Sequence, residues 1–210
     1  MYIYLHGFAS GPKSTKAKDL HKRCDRVNID LQVPDLNQGD FSHLTISRQV
    51  AQVIDLLPTN GSAVTLIGAS LGGLTAAIVA QDYPQVNRLI LLAPAFEFTT
   101  HWLPKLGAEK LKLWTDNSYL PIYHHARKKP LPLHYNFVID ARRYSVFTSD
   151  RLVPTLIIHG IHDDVIPISA SRDFAAKHPW VSLVEIDSNH ALIDAIDQIW
   201  QEICQFCQIY

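Results

Sequence analysis

The chain has 210 residues, of which 47% are apolar and 19% charged, and its formal net charge is −1. That length favours a single domain able to bury a core without a disulfide or metal staple. So even a charge balance leaves no electrostatic drive toward nucleic acid or an anionic membrane as general partner.

The first five residues, Met-Tyr-Ile-Tyr-Leu, read as a strand. No basic segment and apolar leader precede it, so no secretory signal is expected. No apolar run approaches the roughly 18 residues of a membrane span, so no membrane insertion is expected. The cysteines are Cys24, Cys204 and Cys207, and an odd count in an unsecreted chain predicts reduced thiols and a cytoplasmic location.

Residues 14–25 follow with helical spacing behind Ser14, a good N-cap. Residues 27–31 predict a second strand. Residues 43–57 predict a helix closed by Pro58, and Asn60-Gly61 marks a turn. A strand at 63–67, a helix at 71–82 ending before Pro84, and a strand at 88–92 come next. The pattern resumes with a strand at 155–159, a helix at 169–177, a strand at 181–186 and a helix from 191 to about 207. Cys204 and Cys207 fall one turn apart on that last helix, where no chemistry is expected of them.

Several of these strands are unbroken apolar runs, the pattern of a parallel sheet covered on both faces. Regular alternation with helices predicts a doubly wound, mostly parallel α/β architecture. In such sheets ligands gather beyond the carboxyl ends of the strands.

Residues 96–153 break the rhythm. They hold Trp102, Trp114, Tyr119, Tyr123, Tyr135 and Phe137 among four prolines. Residues 119–125 and 131–137 predict two arms of a hairpin around Arg127-Lys128-Lys129-Pro130. An aromatic insertion this long between core strands predicts a cap or lid over the site within a single domain.

Gly68-Ala69-Ser70-Leu71-Gly72 matches G-x-S-x-G between a strand and a helix. A nucleophile there stands on a tight turn, and small neighbours let strand and helix approach. The Leu71 N–H then faces a reacting carbonyl from the positive end of the helix. The competing reading is a dinucleotide turn, since Gly68-x-Ser70-x-x-Gly73 is one residue from G-x-G-x-x-G. That fingerprint needs glycine where Ser70 stands, and an acidic residue about 20 positions on, where Leu92-Ala93-Pro94 has none.

A serine needs a base. In strand-turn-helix hydrolases the order is Ser, acid, His. The strand before His159 runs into Gly160-Ile161-His162-Asp163-Asp164, and the strand ending at Ile186 runs into Asp187-Ser188-Asn189-His190. Asp163 and Asp164 compete for the acid. His190 is the expected base. His6-Gly7 after the first strand is read as shaping a turn, without a proton-transfer role for His6. The sequence has eleven histidines. His159, His162, His6 and Asp163 invite a metal reading, but no H-E-x-x-H or comparable spacing supports one. His124, His125, Arg127, Lys128 and Lys129 form a basic cluster, read as a solvated turn in preference to an anion site.

Taken together, Tyr4-Leu5-His6-Gly7-Phe8-Ala9-Ser10-Gly11-Pro12, with Ser14 and Lys16-Ala17, resembles the small bacterial esterases of the YqiA/YcfP-like group. The Ser70, Asp163 and His190 segments resemble the wider α/β-hydrolase superfamily. The H-G-x-x-D-x-x-V/I-P pattern of that superfamily places the acid at Asp163. The resemblance implies an α/β-hydrolase fold and cofactor-free hydrolysis of a small carboxylic ester or thioester through an acyl group on Ser70. It also implies a second oxyanion donor at the Phe8 N–H, beside that of Leu71. Alternatives are carbon–carbon hydrolysis or perhydrolysis by the same residues, or a catalytically silent binding protein.

Overall fold

The computed structural model describes residues 1–145 and 150–209. Among the described residues, six parallel strands form the central sheet, in the order β2-β1-β3-β4-β7-β8. They are β1 (Tyr2–Leu5), β2 (Leu31–Gln32), β3 (Val64–Ala69), β4 (Val86–Leu92), β7 (Thr155–Gly160) and β8 (Val181–Ile186). The chain leaves β1 on one side for β2 and returns on the other for β3. That reversal opens a crevice at the carboxyl ends of β1 and β3.

The unbroken apolar runs follow from burial on both faces. Along β4, Leu89 and Leu91 join one core while Ile90 and Leu92 join the other. Helices α1 (Thr15–Arg26) and α8 (Ile196–Cys207) pack together and close the second core. Helices α2 (Ile46–Asp55), α3 (Leu71–Asp82) and α7 (Ile168–Lys177) contribute to the first. Helix α3 is buried on nearly every side, from Leu71 through Ala80, because it lies between the sheet and α2. That explains a helix with no polar stripe.

The Ser14 start signal works as read. The Ser14 hydroxyl accepts from the Ala17 N–H at 3.4 Å, and Thr45 accepts from Arg48 N–H at 3.1 Å. Three boundaries differ from expectation. Residues 27–30 turn instead of pairing, because Asn28 takes φ 57° to close α1, so β2 is only Leu31–Gln32. Helix α2 starts at Ile46, its N-cap Thr45 preceded by a separate 3-10 turn at Phe41–His43. Residues 191–195 are turns, not the first helical turns of α8. There the Asn189 side chain accepts from Ala191 N–H, and Leu192 adopts φ 54°.

The insertion is more regular than its sequence shows. It contains α4 (Phe98–Leu106), α5 (Ala108–Asn117), the antiparallel pair β5 (Tyr119–His124) and β6 (Lys129–His134), and α6 (Asn136–Ala141). The second hairpin arm starts two residues earlier than expected, because the turn closes over residues 125–128 and pairs His124 with Lys129. Residues 146–149 of the expected insertion lie outside the described residues.

Candidate active site

Ser70 follows β3 and heads α3 with φ 51° and ψ −118°. A non-glycine residue rarely tolerates that conformation, which costs on the order of 1–3 kcal/mol. The surroundings enforce it. Ser70 N–H donates to Leu92 O at 2.9 Å, and Ser70 O accepts from Gly73 N–H at 2.9 Å and Ala95 N–H at 3.0 Å. Two glycines permit the turn by close approach. A Cβ on Gly68 would stand 2.4 Å from Gly72 O, and one on Gly72 would stand 2.2 Å from Leu5 O and 2.6 Å from His6 O. No side chain fits either place.

His190 follows β8 and meets Ser70 across the sheet. Its Nε2 lies 3.0 Å from Ser70 Oγ, and its Nδ1 lies 2.6 Å from Asp163 Oδ2. Asp163 lies in the loop after β7, its side chain fully buried. Its other oxygen accepts the N–H groups of Val165 and Ile166, both at 2.8 Å. The hydrogen on Nδ1 therefore points to the carboxylate, and Nε2 accepts from the serine hydroxyl. Burial alone would raise the Asp163 carboxyl. Donors from His159 and His190, with the Ile166 amide, outweigh it and hold the group well below the usual carboxylate range. Asp164 is exposed, and its carbonyl, not its side chain, is engaged, by Lys105 of α4.

The expected oxyanion donors stand on adjacent segments. Leu71 is the first residue of α3, so its N–H has no intrahelical acceptor. Phe8 follows Gly7, whose added Cβ would lie 3.3 Å from Ser70 Cβ, so the turn after β1 runs beside the nucleophile. His6 holds that turn. Its buried Nε2 accepts the Leu36 N–H at 3.0 Å, which leaves Nδ1 to donate to Gly7 O at 3.0 Å. Both ring nitrogens are thereby engaged.

The other histidines disperse. His162 pairs at the surface with Asp187 at 2.9 Å. His124, read above as part of a basic turn, is instead buried against Phe41, and burial and Arg127 push its imidazole down from the usual range.

Two residues near the site take roles that the sequence reading did not give them. His159, fully buried at the end of β7, places Nε2 3.0 Å from Asp163 Oδ2, while its Nδ1 lies 2.7 Å from Ser171 Oγ. The available signal was its place immediately before Gly160 and four residues before the acid. Lys16 of α1 donates to Ala191 O at 2.8 Å, one residue past His190. Burial pushes its amine down to about 8, against the upward pull of Asp163. Its partner is 175 positions away, so only the fold reveals the pairing.

The family model described as "Uncharacterised protein family (UPF0227)" matches residues 1–208. No curated protein matches the chain. Among solved structures, a protein from Agrobacterium vitis S4 provisionally described as a hydrolase is 25% identical, with a TM-score of 0.85 over 100% of this chain and 87% of that one. The mouse alpha/beta hydrolase domain-containing protein 10 is 20% identical, with a TM-score of 0.72 over 96% of this chain and 90% of that one. Est1E from Butyrivibrio proteoclasticus is 19% identical, with a TM-score of 0.73 over 99% and 88% respectively.

Proposed function

The chain belongs to the UPF0227 family, within the α/β-hydrolase superfamily, and from that premise we propose that it is a serine hydrolase cleaving a small carboxylic ester or thioester. The observation that carries this reading is the unbroken line from Asp163 through His190 to Ser70, at 2.6 and 3.0 Å. A silent binding protein has no need to hold a strained serine within hydrogen-bond reach of a correctly oriented imidazole.

In this mechanism Ser70 Oγ attacks the carbonyl carbon as its proton passes to His190 Nε2. The carbonyl oxygen gains negative charge and is held by the Phe8 and Leu71 amides, at the positive end of α3. Asp163 keeps His190 in the tautomer that accepts at Nε2 and stabilises the imidazolium. His190 then protonates the leaving alcohol or thiol, and an acyl group remains on Ser70. Water, deprotonated by His190, releases the acid and restores the serine. These steps require no electron transfer and no cofactor.

A fluorophosphonate probe followed by peptide mapping tests this reading. Attachment to Ser70, abolished in Ser70→Ala, supports it. Absence of labelling in a folded protein overturns it.

A further inference from the structure

A cleft of about 720 Å³ opens between α5 and β5 and includes Phe8 and Ala9 of the turn after β1 in its lining. That size suits a small molecule, whose pockets run to roughly 300–1,000 Å³. Its walls include Phe8, Trp102, Leu113, Tyr119, Ile122 and Tyr123. Leu113 is 53% exposed, Tyr119 40% and Tyr123 53%, although all three are large and apolar or aromatic. Large apolar side chains left in solvent together, around one concavity, mark a binding surface.

The walls are held firmly. On α5, Leu113 and Asn117 face the cleft one turn apart. Trp114 points the other way, is fully buried and donates from Nε1 to Leu133 O at 2.7 Å, which anchors α5 to the hairpin. The hairpin in turn is tied to the Ser70 side of the molecule, because His125 N–H donates to Ala9 O at 2.8 Å. Phe8 joins the two regions. Its backbone follows the glycine beside Ser70. Its ring stacks on Phe137 at 5.0 Å and meets Trp102 edge-on at 5.2 Å.

The rings of Phe8, Trp102, Tyr119 and Tyr123 share this lining with aliphatic side chains, and no carboxylate is among its residues. Such a surface favours a flat aromatic group, which gains ring–ring contacts that an alkyl chain of equal area does not. It holds no carboxylate that would pair with a cationic substrate. We propose that the cleft seats an aryl group of the substrate, so that the ester cleaved at Ser70 is an uncharged or anionic aryl-bearing ester. This assignment rests on the serine-hydrolase reading above.

The test compares kcat/KM for ethyl 3-phenylpropanoate and ethyl hexanoate, and for benzyl acetate and butyl acetate, by proton release. The first pair places the ring on the acyl side, the second on the alcohol side. At least one aryl ester should exceed its aliphatic match by about tenfold or more. That preference should collapse in Tyr123→Ala and in Leu113→Asp, both at exposed positions that leave the core intact. Fluorophosphonate labelling of Ser70 is followed in the same samples. Labelled protein with no aryl preference in either pair, or with a preference untouched by both variants, overturns the aryl assignment alone. Unlabelled wild-type protein overturns the hydrolase reading beneath it.

Discussion

The buried ring of His159 reaches from Nε2 to the same Asp163 oxygen, 3.0 Å away, that receives the His190 Nδ1–H at 2.6 Å. The carboxylate thus has two imidazoles against one oxygen, with the His159 Nε2–H shared with Ile166 O at 3.1 Å, and two amides on the other. His159 touches no reacting atom; it acts through Asp163 as a positioning residue. Replacing it with Phe removes one donor, so the carboxylate keeps more of its charge and stabilises the His190 imidazolium more strongly. The acid limb of kcat/KM should then move to higher pH, and kcat should fall about tenfold or more, in line with losing a hydrogen bond to a buried charge. His159→Gln, which retains a donor, should keep the limb near its wild-type position. A role confined to packing would lower the melting temperature of His159→Phe and leave the limb still.

Ser70→Ala should lower kcat by on the order of 10³-fold or more while circular dichroism stays unchanged. Thermal stability should change little, because alanine keeps the same strained backbone and its hydrogen bonds. Turnover by the variant at the wild-type rate contradicts the mechanism.

The two neighbouring acids should separate cleanly. Asp163→Asn leaves the wrong tautomer facing Ser70 and should cost on the order of 10³–10⁴-fold in kcat. Asp164→Asn should stay within about twofold, since an exposed side chain away from any such network changes little. Steady-state kinetics of both variants decide it, and the reverse ranking moves the acid to Asp164.

Lys16 predicts opposite pH trends in activity and stability. Its ammonium holds the carbonyl next to His190 and is lost as pH rises through about 8. Activity should therefore decline above about pH 8, and Lys16→Arg, always charged, should shift that decline upward. Stability runs the other way. The folded value lies below the unfolded one of ~10.4, so the folded state sheds its proton first and gains stability as pH rises between the two. A thermal-denaturation series across that range checks the sign.

Acid should loosen the turn after β1. Asp35 lies 3.5 Å from His6 Nε2 and accepts from the Asn37 N–H and side-chain amide at 3.1 and 2.9 Å, and these neighbours, against the opposing effect of burial, pull its carboxyl down to about 2. Its folded value lies below the unfolded ~3.9. The stability it contributes is full above that value and lost as pH falls toward about 2. Asp35→Asn should flatten this part of the melting-temperature profile, and an unchanged profile removes Asp35 from the acid response.

Much of this was legible in the sequence, for reasons that particular residues make plain. The runs around Leu66 and Ile90 announce strands buried on both faces, and Gly68 to Gly72 announce a turn that only small residues can make. Ser70, Asp163 and His190 each follow a strand, so a parallel sheet brings their loops to one edge. The insertion was opaque because its order is tertiary. Trp114 and Phe137 are placed by each other's neighbourhood, not by a helical or alternating period. Lys16 was invisible because its contact spans nearly the whole chain, and His124 looked cationic until Phe41 covered it. The helix expected from residue 191 failed because Asn189 and Leu192 bend the chain there, which keeps His190 over the serine.

Gly72 carries a consequence for how this protein can vary. Two carbonyl oxygens of the β1 segment stand where its side chain would be. One of them belongs to His6, two residues before Phe8, and Gly72 itself follows Leu71. The missing methyl group is therefore a spacer of zero thickness between the two backbone donors proposed to share the oxyanion. Even alanine would wedge the segments apart and widen the gap the charged oxygen must bridge. Mutational drift at this position should therefore damage transition-state binding and folding together, although the residue has no functional group to lose.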